Sequence, residues 1–91
     1  MIRLNVFIHV SPENRAEVLA TVNELVNKSR TEKGCIAYGA FADTQDDSVL
    51  MICEPWESQE ALSAHEKTDH FITLVGRTQQ LAEMKLEKFI F

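Results

Sequence analysis

Two histidines, His65 and His70, fall five residues apart in the stretch EPWESQEALSAHEKTDHF, residues 54–71. An imidazole exchanges a proton near neutral pH, so each is a candidate general base. Metal chemistry fits the spacing poorly. A five-residue step places side chains about 140° apart even on one continuous helix, whereas a two-histidine metal motif uses a four-residue step. Glu66 and Asp69 add carboxylates but no recognisable ligand spacing, so no metal is expected. Other residues could serve the same chemistry. Asn5 shares a strand face with Arg3 and His9 and is a candidate hydrogen-bond donor to a polar ligand. Tyr38 could donate to a ligand hydroxyl or pack with its own hydroxyl at a rim. Glu54 is expected to cap or to pair with a cation.

These residues need elements to hold them. IRLNVFIHV alternates, with Leu4, Val6, Ile8 and Val10 on one face, and reads as a strand. Ser11 is expected to cap a helix with Pro12 in its first turn. Val18, Leu19, Val22, Leu25, Val26 and Ser29 continue that helix at helical spacing, and Gly34 is expected to stop it in a left-handed conformation. CIAYGAFA and VLMICE form two strands across the polar turn DTQDDS, and Pro55 and Trp56 end the second of them. Ser58 caps a short helix to about Lys67, Thr68 or Asp69 caps another, and MKLEKFIF closes as a strand.

The order is β-α-β-β-α-β with its second helix broken, an α+β ferredoxin-like pattern in which one four-stranded antiparallel sheet carries helices on one face. The third strand, VLMIC, does not alternate, and it predicts burial on both faces. A second protomer would cover the face opposite the helices. The 91 residues predict one domain, 1–91.

On the short helix, Ala61, Leu62 and His65 share an inward stripe. With Trp56 under that helix and a break at KTDH, the pattern predicts an apolar cavity between sheet and helices. Its expected walls are Trp56, Phe71 and Leu62, with His65 at the polar end and a mouth beside Phe71. His70, at a helix start, is disfavoured as an imidazolium by the positive helix end.

A net charge of −5 argues against nucleic acid and anionic membrane as partners. No apolar run approaches the roughly 20 residues of a membrane span. The N-terminus has no secretory-leader pattern, so a cytoplasmic location is expected. Cys35 and Cys53 are expected to sit out of register across their two strands, near Trp56 and Tyr38 respectively, and to remain free thiols.

Glu54, Trp56, Ser58, Ala61, His65, Thr68, His70 and Phe71, supported by Gly34 and Tyr38, form a pattern that resembles the antibiotic biosynthesis monooxygenase superfamily. The resemblance runs over essentially the whole chain. It implies a dimeric α+β barrel and a cavity partly walled by the counterpart of Trp56. Relatives include cofactor-free quinol monooxygenases, haem-degrading enzymes, an isomerase of a signalling sugar phosphate, and proteins with no known activity. Haem degradation fits least, because Val75 falls where those relatives carry an axial histidine. The chain has no G-x-G-x-x-G, P-loop or G-x-S-x-G, so no flavin or nicotinamide cofactor is expected. The leading expectation is a cofactor-independent monooxygenase acting on a small electron-rich aromatic such as a quinol with O2. His65, His70 and Asn5 would be its catalytic groups, and Trp56, Phe71, Tyr38 and Leu62 would bind the substrate. The alternatives are an isomerase using the same pocket and a non-catalytic ligand-binding or stress-response dimer.

Overall fold

The computed structural model describes residues 1–91. Strand β1 (Ile2–Val10) pairs antiparallel with β3 (Val49–Trp56) on one side and with β4 (Ala82–Ile90) on the other. Strand β2 (Gly39–Ala42) adds to the free side of β3, giving the sheet order β2-β3-β1-β4. Three helices, α1 (Arg15–Ser29), α2 (Gln59–Glu66) and α3 (Asp69–Leu81), complete the element order β-α-β-β-α-α-β. The expected ferredoxin-like sheet with a broken second helix is therefore present.

The two faces of the sheet follow the alternation of its strands. Leu4, Val6, Ile8 and Val10 of β1, with Leu50, Ile52 and Trp56 of β3, form the core face. Val18, Val22, Leu25 and Val26 of α1 and Leu74 of α3 pack onto it. Within a single chain the third strand alternates in burial. Leu50, Ile52, Glu54 and Trp56 are buried, and Val49, Met51, Cys53 and Pro55 are half-buried. On the outer face Met51 lies between Phe7 and Phe41 in register, and Phe7, Phe41 and Phe89 are exposed there.

Several boundaries differ from the sequence reading. Helix α1 begins at Arg15, with Asn14 rather than Ser11 at its N-cap. Residues 11–14 instead make a turn, in which the Asn14 amide donates to the Ser11 carbonyl at 3.1 Å. The Asn14 side chain does not cap the helix, because its Nδ2 donates to the Leu81 carbonyl at 3.1 Å and ties the start of α1 to the end of α3. Strand β2 starts only at Gly39, with Cys35 reaching β3 through one isolated bridge to Trp56. Strand β3 runs on through Pro55, which stands on the half-buried face. Cys53 pairs with Gly39, and both thiols are free.

The two caps around the helix break hold as read. The Ala61 amide donates to Ser58 Oγ at 3.2 Å and the Phe71 amide donates to Thr68 Oγ1 at 3.2 Å. Thr68 also closes α2, because its hydroxyl donates to the His65 carbonyl at 2.7 Å. One residue thus ends one helix and begins the next, and it fixes the angle at which α3 leaves.

Gly34 has φ +85°, as its position suggested, but it lies five residues beyond the end of α1. It serves a turn rather than a helix cap. Its carbonyl accepts from the Glu57 amide at 2.9 Å, and a Cβ there would stand 2.5 Å from the Ala61 Cβ. Ala61 is small because this turn presses on α2. Gly34→Ala is therefore expected to lower unfolding stability by about 1–3 kcal/mol, from strain and steric overlap. Gly76→Ala, inside α3 with nothing near the added methyl, is expected to raise stability by roughly 0.5–1 kcal/mol. Paired chemical denaturation of the two variants checks both signs.

Candidate active site

Burial of a charged residue on β3 organises this region. The inward positions of β3 are Leu50, Ile52, Glu54 and Trp56, so strand alternation places a carboxyl where a fourth apolar side chain would pack. Glu54 is 3% exposed. Its Oε1 accepts from Trp56 Nε1 at 3.1 Å. Burial pushes its pKa from the usual 4.5 up to about 7. The Trp56 N–H and the Tyr38 hydroxyl pull the other way, while the charges of Glu66 and Glu32 add to the rise. Tyr38 is buried beside this carboxyl, and burial together with the Glu54 charge raises its phenol far above the ordinary range.

A cavity of about 230 Å³ opens beside these two groups. The sheet contributes Leu4, Val6 and Ile52 to its lining, the helices contribute Leu62, Phe71 and Val75, and β4 closes it with Met84 and Leu86. Its polar groups are Glu54 and Tyr38, which are buried, and Glu66 and Gln79, which are exposed. The cavity thus has a dry end and a wet rim. For scale, an engineered apolar cavity of roughly 150 Å³ holds benzene, so one substituted aromatic ring fits here.

Behind Glu54 lies a second cluster. His65 is wholly buried, stacked 4.6 Å from Trp56 and edge-on to Phe71 at 5.0 Å. Its Nδ1 lies 2.6 Å from Glu32 Oε2, and His70 Nε2 lies 2.8 Å from the same oxygen. A carboxylate only accepts, so both imidazole nitrogens facing Glu32 carry hydrogens. The other ring nitrogen of His65, Nε2, has no hydrogen-bond partner and faces Glu54 Oε1 at 4.0 Å. His70 is partly open to solvent, with 19% of its side chain exposed.

The structure sorts the residues singled out in the sequence. Phe71 and Leu62, two of the three expected walls, line the cavity, and so does Tyr38. Trp56 and His65 do not line it. Trp56 fills the space beneath α2 completely, and His65 packs on its ring and against the lining residues Phe71 and Tyr38, so both support the wall from behind. His70 also stands off the cavity, joined to His65 through Glu32. Asn5 is not brought to the site at all: it alternates onto the outer face of β1, opposite Cys53, where its Oδ1 is buried without a partner. Ala61 packs on Gly34 and leaves no room for a ligand.

Two residues emerge that the sequence reading undervalued. Glu54 carries a partial signal, an acid in an otherwise apolar strand, but VLMIC does not alternate and so does not say which face the acid takes. Glu32 carries none, since it lies in the turn after α1 and meets the histidines only through the fold.

Together these features define a single-sheet α+β protein with a dry cavity and an ionisable carboxyl at its closed end. A family model described as antibiotic biosynthesis monooxygenase matches residues 1–77. The candidate monooxygenase YcnE of Bacillus subtilis is 32% identical over 87 residues, which cover 96% of this chain and 92% of YcnE. Among solved structures, a conserved protein of unknown function from Bacteroides thetaiotaomicron, described as a possible oxidoreductase, is 52% identical. It superposes with a TM-score of 0.97, covering 99% of this chain and 96% of that one. An antibiotic biosynthesis monooxygenase of 29% identity superposes with a TM-score of 0.92 over 100% of this chain and 98% of its own. The chain belongs to the antibiotic biosynthesis monooxygenase family.

The Glu54 environment has a measurable consequence. The folded chain keeps a proton on Glu54 that the unfolded chain releases between about pH 4.5 and 7. Stability therefore falls as pH rises through that window, and the burial cost is fully present above it. Glu54→Gln keeps an oxygen for the Trp56 N–H and removes the titration. Its stability relative to the parent is expected to climb between pH 4.5 and 8, by on the order of 3 kcal/mol. Denaturation at a series of pH values checks this, and a flat difference would refute it.

Proposed function

We propose that the protein is a cofactor-independent monooxygenase that oxidises a one-ring quinol or similar electron-rich phenol with O2. The observation that carries this reading is Glu54, a buried carboxyl at the closed end of an apolar cavity sized for one aromatic ring. A group with a pKa of about 7 is well matched to accept a phenolic proton near neutral pH. Family membership and the monooxygenase described in the Bacillus relative support the same class of reaction.

The chemistry needs no electrons from outside the substrate. Glu54 takes the hydroxyl proton of the bound quinol and leaves a phenolate. The phenolate passes one electron to O2, and the resulting radical pair joins at an adjacent ring carbon as a peroxide. Glu54 returns its proton to the peroxide, the distal oxygen then leaves as water with the hydrogen of that ring carbon, and the carbon-bound oxygen stays as a carbonyl, which gives the hydroxyquinone. One quinol and one O2 thus yield one hydroxyquinone and one water. The Tyr38 hydroxyl, held beside Glu54, steadies the phenolate oxygen. Leu62, Phe71 and Val75 keep water from the reactive intermediates. Trp56 holds the Glu54 carboxyl in place through its N–H, and His65 fixes the tryptophan ring by stacking.

The working unit in this reading is a homodimer. Phe7, Phe41 and Phe89 are exposed on the sheet face opposite the cavity, with Met51 between the first two. A second copy is the simplest cover for such a face. Sedimentation is expected to show a species of twice the 10.4 kDa chain mass. Met51→Lys, which places a charge in the centre of that face, is expected to give the single-chain mass.

Oxygen consumption with a panel of one-ring quinols tests the reaction. Uptake is expected with at least one of them, and Glu54→Gln is expected to slow it by about 10²–10⁴-fold. No uptake with any quinol overturns the reaction. Uptake unchanged in Glu54→Gln overturns the assignment of the base.

A further inference from the structure

Glu32, His65 and His70 come from three separate segments: the turn after α1, the last turn of α2 and the first turn of α3. Their nearest ligand atoms, Glu32 Oε2, His65 Nδ1 and His70 Nε2, all lie within 4.8 Å of one another. Two imidazoles and a carboxylate converging in this way are a ligand set suited to a borderline divalent ion. We propose that these three residues bind a divalent transition-metal ion of the zinc type, at a site behind the substrate cavity and distinct from it.

The hydrogen-bonded arrangement satisfies only part of the cluster. With hydrogens on His65 Nδ1 and His70 Nε2, both donate to one carboxylate oxygen, at 2.6 and 2.8 Å. That leaves His65 Nε2 without a partner inside a fully buried ring, an uncommon state for a buried polar atom. A cation on Nδ1 changes the account. It displaces the Nδ1 hydrogen, and the neutral ring then carries its hydrogen on Nε2. The group opposite Nε2 is the Glu54 carboxyl, 4.0 Å away. Metal-bound histidines commonly donate their other ring N–H to a carboxylate in this manner. The ring need only tilt towards Glu54 to close a hydrogen bond.

The remaining geometry is compatible. Zinc bonds of about 2.0–2.2 Å in tetrahedral array put ligand atoms roughly 3.4 Å apart. The two short contacts therefore open by somewhat under one ångström when the ion seats. Glu32 lies in a turn rather than a helix or strand, so rotation of its side chain supplies that movement, and a turn of the partly exposed His70 ring brings the two imidazole nitrogens, within 4.8 Å of each other, to the same spacing. Three protein ligands leave a position for water. Entry is available from the His70 side, through a shallow surface cleft lined by Asp69 and by Glu24, which is paired with Lys28. Neither histidine nor Glu32 lines the substrate cavity, so the ion does not touch the substrate.

Titration of the full-length protein with Co2+, followed by visible absorption, tests the site without reference to activity. Intense four- or five-coordinate bands saturating at one equivalent, and lost on adding Zn2+, are expected. Glu32→Gln and His70→Ala, both at partly exposed side chains, are expected to weaken binding by at least about 100-fold. His9→Ala, whose ring lies beside Ser48 at the other end of β1, is expected to leave it unchanged. Nitrogen NMR provides a sharper signature: Zn2+ should move the His65 hydrogen from Nδ1 to Nε2. Absence of the bands at millimolar Co2+, equal binding by His70→Ala, or a His65 hydrogen that stays on Nδ1 overturns the proposal. None of these readings depends on whether a quinol is oxidised.

Discussion

The carboxyl of Glu54 sits among side chains that would otherwise form a continuous apolar layer, and the surrounding architecture accommodates it. An unpartnered buried carboxylate is costly. Here the Trp56 N–H binds one oxygen at 3.1 Å. That bond directs the indole beneath α2, where its face meets His65 at 4.6 Å. His65 in turn abuts Phe71, the residue that begins the cavity wall on α3. A single polar substitution on a core strand thus specifies a chain of contacts across β3, α2 and α3. The carboxyl is only partly satisfied: burial outweighs the hydrogen bonds and leaves its pKa near 7.

Two tight joints keep that chain of contacts in register. Thr68 accepts the first hydrogen bond of α3 and donates to the last turn of α2. The bend between the helices is therefore set by one side chain, and it brings the His65 and His70 rings within 6.1 Å of each other. Gly34 allows the α1–β2 turn to lie directly on Ala61. The same turn carries Glu32 to the two histidines. The sheet beneath provides a rigid floor, while the ligating and capping groups come from element ends, where side chains can be aimed without breaking the ladders.

The cavity and the histidine cluster share a wall but differ in character. The cavity is apolar and reaches solvent at an exposed rim of Glu66 and Gln79. The cluster is polar, reaches solvent through His70, and meets the cavity wall where His65 faces Glu54, Phe71 and Tyr38. The two histidines, the most conspicuous chemical groups in the chain, therefore do not line the cavity.

The pattern of residues by itself determined the sheet, its order of elements, both caps at the helix break and the inward direction of His65, because these depend on period-2 and period-3.6 spacing and on local capping. It also determined that Gly34 needed a left-handed conformation, though not which structure required it. It misplaced the start of α1, because the Asn14 amide is drawn away to a carbonyl 67 residues distant. It placed Trp56 and His65 on the cavity wall because inward-facing and cavity-facing look alike in a periodicity. Whether an inward side chain meets space or another side chain depends on how two helices lean, and Trp56 is large enough to fill its space completely. It could not place Asn5 either: alternation assigns Asn5 to a face of β1, but only the packed helices show which face holds the cavity. Glu32 was invisible for a simpler reason. It lies in a turn, 33 residues from His65, and no local rule connects the two. Their meeting, like the cavity, follows from long-range packing that only the tertiary structure decides.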